Sequence, residues 1–309
     1  MASIGVPVQS LANAVVPVVI FIASGFALRR FLVLDMRSVA RIALYVFSPA
    51  LILSSLVAPK LSAHDIIGIV IFAILMVGAA LLVSRIIGWL LHAPRPAQSG
   101  LDLVTVFSNS ANLGLPMVAF GLGPSSLHAA VIFVLTQIVA VNTLGAYLAG
   151  RGGVDPRAAF GRMLRLPSLW AMAAAIVVAT LHFHLPTSLL TAARFGGQAY
   201  PPTVLLVLGG TLADWKTGDF KHTIPWVSVV ARLIVMPIIA VIVVNLLTLT
   251  TNTARALVLQ IAMPVAVNAL VLAQEFDAVP NQVGHTIALS TLGALVTIPL
   301  WLVLITHLS

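Results

Sequence analysis

The stretch VFSNSANLGLPMVAFGLG, residues 106–123, decides the fold because it places polar and helix-breaking residues inside an apolar chain. Apolar sequence flanks it on both sides, so it should lie within a membrane. It nevertheless contains Asn109, Asn112 and Gly114 close to Pro116. A proline inside a helix removes one hydrogen bond and clashes with the preceding turn, and each unpaired backbone group in lipid costs several kcal/mol. The stretch therefore predicts a broken membrane helix whose freed backbone groups find other partners.

The composition excludes a soluble domain and several classes of site. Hydrophobic residues make up 60% of the chain and charged residues 8%, whereas soluble domains carry roughly 25% charged residues. The apolar runs are continuous and close to the ~20 residues that span a bilayer, which predicts a helical bundle. The net charge of +8 comes from basic residues between these runs, so we expect no nucleic-acid partner. The chain has no cysteine, which excludes disulfides and cysteine-based metal sites.

Ten membrane spans are predicted, and the loops between them differ in charge. Most Lys and Arg residues lie in the loops that follow spans one, three, five and seven. Because basic loops stay in the cytoplasm, both termini should lie outside, with the chain in the plasma (inner) membrane. The predicted spans are approximately 11–30, 39–57, 65–91, 101–122, 126–149, 167–184, 200–213, 224–248, 255–275 and 283–306.

The basic segment 150–166 should be a cytoplasmic linker between two halves, 1–149 and 167–309, of five spans each. An odd number of spans per half makes the two halves oppositely oriented, which is the arrangement of an inverted repeat. The positions of two prolines favour this interpretation, because Pro116 in span four has a counterpart in Pro264 of span nine.

Spans four and nine together suggest a binding site. Span nine reads QIAMPVAVNALVLAQEF, residues 260–276, and like span four it combines a proline with an asparagine, here Pro264 and Asn268. Two broken helices in opposed halves can cross at the bilayer midplane. Their half-helix N-termini each carry about +0.5 charge and free N–H donors, which suits a carboxylate. One such segment could equally be a packing kink, whereas two matched segments favour a site.

Several segments resemble the auxin efflux carrier family, which includes plant PIN-type auxin exporters and bacterial carriers of malonate and other organic acids. The resemblance is carried by NLGLPM in span four and by AMPVAVNALVLAQEFDAVP with STLGALVTIPLWLVLI in spans nine and ten. It implies an all-α membrane protein of ten helices in two inverted five-helix repeats, with broken helices 4 and 9 crossing at the midplane. It also implies a scaffold of helices 1, 2, 6 and 7, a transport domain of helices 3–5 and 8–10, elevator-type alternating access and a homodimer.

The family motif also indicates which residues would bind a small organic anion. Asn109 matches the amide that contacts the substrate carboxylate in plant members, and Gln137 matches a polar residue of their substrate site. Asn268 lies where the similarity is weaker. No resident cofactor or metal is expected. The predicted substrate-binding residues are Asn109, Asn112, Leu113, Gly114, Pro116, Met117, Gln137, Met263, Pro264, Val265 and Asn268.

Three further residues are candidates for coupling or gating. Arg232 lies within span eight, where a charge suggests function, although its long side chain could instead snorkel to the cytoplasmic interface. Glu275 could be a protonatable group or an interfacial acid, and His285 could relay protons or be an ordinary satisfied histidine. The Asp and Lys that plant members carry on span three have no counterpart in residues 66–89. Coupling to H⁺, to Na⁺ or to neither ion therefore stays open.

The favoured function is secondary active or facilitative transport of small carboxylates, such as malonate-like acids or auxin-like aromatic acids. The alternatives are a sodium-coupled symporter of bile-acid-carrier type and a membrane sensor that binds its ligand without transporting it. An enzyme is not expected, because all the acidic residues fall near span ends or in loops.

Overall fold

The computed structural model describes residues 8–32, 34–56, 61–140, 144, 148, 167–181, 183, 185–213 and 223–308. In this part of the chain the regular structure is helical, with no strand and one isolated antiparallel bridge between Ser108 and Val265. The all-helical class predicted from the continuous apolar runs is confirmed. The predicted linker, 150–166, lies outside the described residues.

The α-helices of these ranges are numbered along the chain, and three short π-helical turns accompany them. The helices are α1 (Val8–Leu32), α2 (Met36–Ile42), α3 (Ser48–Leu56), α4 (Ala63–Leu90), α5 (Arg95–Val106), α6 (Leu115–Gly121), α7 (Pro124–Ala140), α8 (Pro167–Thr180), α9 (Thr187–Ala213), α10 (Thr223–Val230), α11 (Met236–Leu246), α12 (Thr251–Ile261), α13 (Asn268–Glu275) and α14 (Pro280–Ile305). The π-helical turns are Ala43–Phe47 between α2 and α3, Ser110–Gly114 before α6, and Ala231–Val235 between α10 and α11.

Helices that could span a bilayer are present as the hydropathy predicts. Within the described ranges, four helical stretches are long and apolar enough to cross a membrane, namely Ser38–Ser55, Ala63–Leu90, Thr223–Leu246 and Pro280–Ile305. The shorter apolar helix α7 adds to them. The ten-span count and the inverted repeat stay predictions.

Two predicted helix starts are wrong. Helix α9 begins at Thr187 and not near 200, because it continues through Pro201 and Pro202 in its interior. Helix α5 begins at Arg95 and not at 101. Pro96 lies in its first turn, where backbone N–H groups have no partner within the helix, so proline costs no hydrogen bond there.

Proline explains the three π-helical turns. Pro49, Pro116 and Pro237 each stand two residues after the end of one of these turns. A proline has no N–H, and its ring collides with the carbonyl four residues earlier, so the preceding turn widens. At Pro237 that carbonyl belongs to Leu233, and the indole N–H of Trp301 donates to it over 2.9 Å. The hydrogen bond that proline removes is thus replaced from α14.

Helices α1 and α9 pack so closely that their backbones touch. A Cβ atom on Gly25 would lie 2.0 Å from the carbonyl oxygen of Leu206, and one on Gly209 would lie 1.9 Å from that of Ile22. Only glycine permits such an approach. Helix α3 packs against the same α9 and against α8. These four helices form one packed group.

A second packed group surrounds the two broken helices. Helix α4 packs against α5, α7 and α11, while α12 packs against α7 and α11, and α10 packs against α14. Helix α6, which follows the first break, packs against α1 and α9 of the first group. The residues around the first break therefore lie at the junction between the two groups.

Candidate functional site

The two breaks lie at Phe107–Asn109 and at residues 262–267. Helix α5 ends at Val106, and helical structure resumes at Ser110. Helix α12 ends at Ile261, and α13 begins at Asn268. The break that Pro116 predicts in span four is present, but it lies at Phe107–Asn109 and not at the proline. Pro116 lies inside the second half-helix, where the widened turn before it accommodates the ring.

The broken segments hydrogen-bond to each other. The backbone N–H of Asn109 donates to the carbonyl of Pro264 over 2.7 Å, and the N–H of Ala266 donates to the carbonyl of Phe107 over 2.9 Å. The N–H of Val265 donates to the Ser290 hydroxyl over 3.2 Å. Buried backbone groups need partners, and in lipid each unpaired group costs several kcal/mol. This pairing therefore lets both helices stay broken inside the bundle.

The Asn109 side chain is the clearest unpaired donor at the breaks. Its residue is 4% exposed, and its carbonyl accepts from the N–H groups of Leu113 and Gly114, each at 3.1 Å. Its side-chain nitrogen Nδ2 is buried and has no hydrogen-bond partner. The backbone of Asn109 thus completes the local structure, while its side-chain nitrogen has no partner within the described residues.

Gln137 of α7 hydrogen-bonds to Ser108 and Ser110 at the first break. In the amide orientation that satisfies both of its polar atoms, the nitrogen donates to the carbonyl of Ser108 over 3.2 Å and to the Ser110 hydroxyl. The oxygen accepts from the hydroxyl of Ser108 over 2.9 Å and from its N–H over 3.2 Å. Gln137 therefore supplies partners to backbone that the break has exposed.

Arg232 is fully buried and points into the paired breaks. Its Nε donates to the carbonyl of Met263 over 3.1 Å, one terminal nitrogen donates to that of Thr105 over 2.9 Å, and the other donates to that of Ile261. The alternative that Arg232 snorkels to the cytoplasmic interface is wrong, because its exposed fraction is 0%. The three carbonyls that end the half-helices hold it at the breaks.

A cavity of about 230 Å³ adjoins the first break and Arg232. Its walls are mainly apolar, and the polar residues among them are Thr136, Gln137 and Arg232. Gln137 is the one predicted substrate-binding residue that lines this cavity. The lining residues are Ala73, Ile74, Met76, Val77, Val106, Phe107, Phe133, Thr136, Gln137, Ala140, Leu144, Arg232, Met236 and Ile261.

The remaining predicted site residues fall into different environments. Asn112 is half-buried, whereas Asn268 at the start of α13 is exposed. His285 is half-buried near the start of α14, and the side chain of Glu275 lies outside the described part of the structure. The fully buried members are Leu113, Gly114, Pro116, Met117, Met263, Pro264 and Val265.

Gln260 lies beside the first break and was not among the predicted site residues. It is fully buried, and neither atom of its side-chain amide has a hydrogen-bond partner. A Cβ atom on Gly114 would lie 2.0 Å from its Oε1 and 3.1 Å from Cγ of Met263. The one feature of the sequence that points to Gln260 is its position, four residues before Pro264 in an apolar segment. The same feature also fits an amide that simply bonds a neighbouring helix, so it did not identify Gln260.

A polar cluster ties α5 to α4 away from the breaks. Asp102 is 1% exposed and accepts from the hydroxyl of Ser84, from Nε2 of Gln98 at 2.8 Å and from Arg85 at 2.9 Å. Arg85 itself is 55% exposed. Asp102 lies inside α5, which begins seven residues earlier, at Arg95, so it is not the cap of this helix.

Comparison with known proteins identifies the family. The model of the membrane transport protein family, which includes the auxin efflux carriers, matches residues 10–155 and 157–302. The chain belongs to this family. A relative described as an uncharacterized transporter, from Methanothermobacter thermautotrophicus, is 28% identical over 303 residues, which cover 95% of this chain and 98% of the relative. A second uncharacterized transporter, from Methanocaldococcus jannaschii, is 24% identical over 208 residues, which cover 65% of this chain and 67% of that protein.

Family membership confirms the predicted resemblance and the general function. The protein is an integral membrane protein and a membrane transporter. It takes a small-molecule substrate, as transporters of this family do.

Proposed function

We propose that this transporter carries small organic anions and binds them at the paired breaks. The observation that carries the proposal is the Asn109 side chain, whose buried Nδ2 has no partner and lies next to the half-helix that begins at Ser110. A buried donor left unpaired destabilises a protein by about 1–3 kcal/mol. A substrate that accepts this hydrogen bond offsets that loss.

The charge at the breaks favours an anion. Arg232 contributes a positive charge that offsets the partial negative charge at the C-terminal ends of α5 and α12, and among the described residues no carboxylate forms an ion pair with it. The half-helices that start at Ser110 and Asn268 add partial positive charge at their N-termini. A cation would meet these charges in a low-dielectric interior, where repulsion is strong.

The cavity favours a carboxylate with an apolar body. Its walls include Phe107, Phe133 and Met76, whereas Gln137 and Thr136 supply its few neutral polar groups. Gln137 also bonds to the first break, so the cavity and the break share a residue. These walls suit an auxin-like aromatic acid better than a malonate-like acid, whose second carboxylate would lose its hydration against apolar groups.

The transport cycle in this proposal is elevator-type alternating access. Helices α1, α3, α8 and α9 would form the scaffold, and the group that holds both breaks would move against them. The packing of α6 on α1 and α9 supports this division, because it puts the first break at the junction. Two inverted repeats, a homodimer and a plasma-membrane location with both termini outside complete the proposal.

The test is uptake by the purified protein in proteoliposomes. The substrates are a labelled aromatic monocarboxylate, malonate, the neutral amide of the aromatic acid and a quaternary ammonium ion. We expect saturable uptake of the aromatic acid, slower uptake of malonate, and no uptake of the amide or the cation. Transport of the amide or the cation without any carboxylate uptake would contradict the proposal. Carboxylate binding without flux would instead identify a sensor.

A further inference from the structure

Arg232 occupies a position that has the chemistry of a cation site. Its three acceptors, the carbonyls of Thr105, Ile261 and Met263, come from the last turn of α5, the last residue of α12 and the second break. The C-terminal end of a helix carries about −0.5 charge, so two such ends together present about −1. In carriers with discontinuous helices, such ends and unwound carbonyls coordinate Na⁺ or H⁺.

We infer that Arg232 is a built-in cation that takes the place of a coupling metal ion at the paired breaks, so that substrate binding and transport need no sodium. The charge of the guanidinium balances the two helix ends, and its N–H donors reach carbonyls of three different residues. A side chain fixed in α10–α11 cannot dissociate with the substrate. The site therefore stays neutralised throughout the transport cycle.

The surroundings of Arg232 distinguish this role from ordinary packing. An apolar side chain of similar length would fill the same space but would leave three buried carbonyls without donors, at about 1–3 kcal/mol each. Arg232 also lines the 230 Å³ cavity. A water molecule takes up about 30 Å³ of liquid, so the cavity has room for a small ion to approach these carbonyls when the side chain is shortened.

The first experiment measures the wild-type protein in different salts. Its melting temperature in detergent is compared in sodium, potassium and choline chloride at equal ionic strength, and substrate uptake is compared in the same salts. We expect equal melting temperatures and equal uptake. Stabilisation specific to sodium, or uptake that requires sodium, would overturn the inference. Because melting needs no substrate, a failure of the proposed substrate class leaves this result interpretable.

The second experiment removes the guanidinium and supplies it from solution. In Arg232→Ala, millimolar guanidinium should raise the melting temperature by several degrees, because the ion can bind the vacated carbonyls. The matched control is Arg255→Ala. Arg255 also donates to carbonyls beyond a helix end, those of Thr306 at 2.7 Å and Leu308 at 3.0 Å, but it is only partly buried, so water replaces it. Equal responses of the two variants, or no response of Arg232→Ala, would overturn the inference.

A third variant covers the case in which Arg232→Ala does not fold. Arg232→Lys keeps the positive charge at the breaks and removes two of the five N–H donors. We expect it to fold with a lower melting temperature that does not depend on sodium. Sodium-specific stabilisation of Arg232→Lys would show that a charged side chain does not fill the cation position, and the inference would fail.

Discussion

Asn109→Ala separates substrate binding from folding more cleanly than any other change at the breaks. The side chain donates no hydrogen bond within the protein, whereas the backbone N–H and carbonyl of Asn109 bond Pro264, Leu113 and Gly114. The backbone of Asn109, with φ of −76° and ψ of 48°, is close to an inverse γ-turn, which alanine can also adopt. We therefore expect the free energy of unfolding to change by less than about 1 kcal/mol, because the small cavity that the truncation leaves is offset by the removal of an unpaired buried donor.

The effect of Asn109→Ala on binding should be much larger. A hydrogen bond to a charged group contributes about 1.5–3 kcal/mol. Its loss should weaken carboxylate binding by about 10- to 150-fold, at 1.4 kcal/mol per factor of ten. Asn109→Asp, which keeps the shape but replaces the donor by a negative charge, should weaken binding further because like charges repel.

The assay for these variants combines titration of the carboxylate in detergent with uptake in proteoliposomes. Asn245→Ala is the matched control. Asn245 is an exposed residue on α11. Its side-chain amide donates to the carbonyl of Val241 and forms no hydrogen bond with either break. The Asn245→Ala substitution should leave the Kd for the carboxylate unchanged. Wild-type affinity in Asn109→Ala would refute the reasoning, as would a loss of affinity matched by an equal loss in Asn245→Ala.

Three other predictions concern the stability of the fold, measured by thermal unfolding in detergent. Trp301→Phe leaves the carbonyl of Leu233 without its donor and should destabilise the protein by about 1–3 kcal/mol; an unchanged melting temperature would mean that another group takes over. Asp102→Leu deprives buried donors of their acceptor and should destabilise by a similar amount, whereas an increase in stability would contradict this. Gly209→Ala places a Cβ against the carbonyl of Ile22, so α1 and α9 must separate; no loss of stability would show that this contact relaxes easily.

The sequence predicted the class of fold well, because that depends on composition and continuous apolar runs. It also predicted that spans four and nine are broken. It misplaced the first break, because a proline within a helix can widen the turn before it, as Pro116 does, without ending the helix. The actual break at Phe107–Asn109 depends on partners in residues 262–267, which lie far away in the chain.

The candidate site was predicted only in part, because its residues are close together in space but distant along the chain. Asn109 and Gln137 could be named because a motif and a family resemblance place them, and both lie at the first break. The partners of Arg232 are carbonyls up to 127 residues away, and carbonyls carry no residue-specific signal. The sequence therefore showed that span eight contains a charged residue, but it could not show which groups the Arg232 side chain binds. Asn268, predicted by analogy with the first break, is exposed.

The hydrogen bonds between the two breaks restrict how this protein can change shape. Separating α5 from α12 would strip the N–H of Asn109 and that of Ala266 of their acceptors inside a medium that offers no water. It would also pull the Arg232 guanidinium away from carbonyls on both sides. These hydrogen bonds thus hold the two broken helices and α10–α11 together as a single unit. Any opening of the pathway must occur around its outer surface, since a gate that splits it through the middle would break every one of these bonds together.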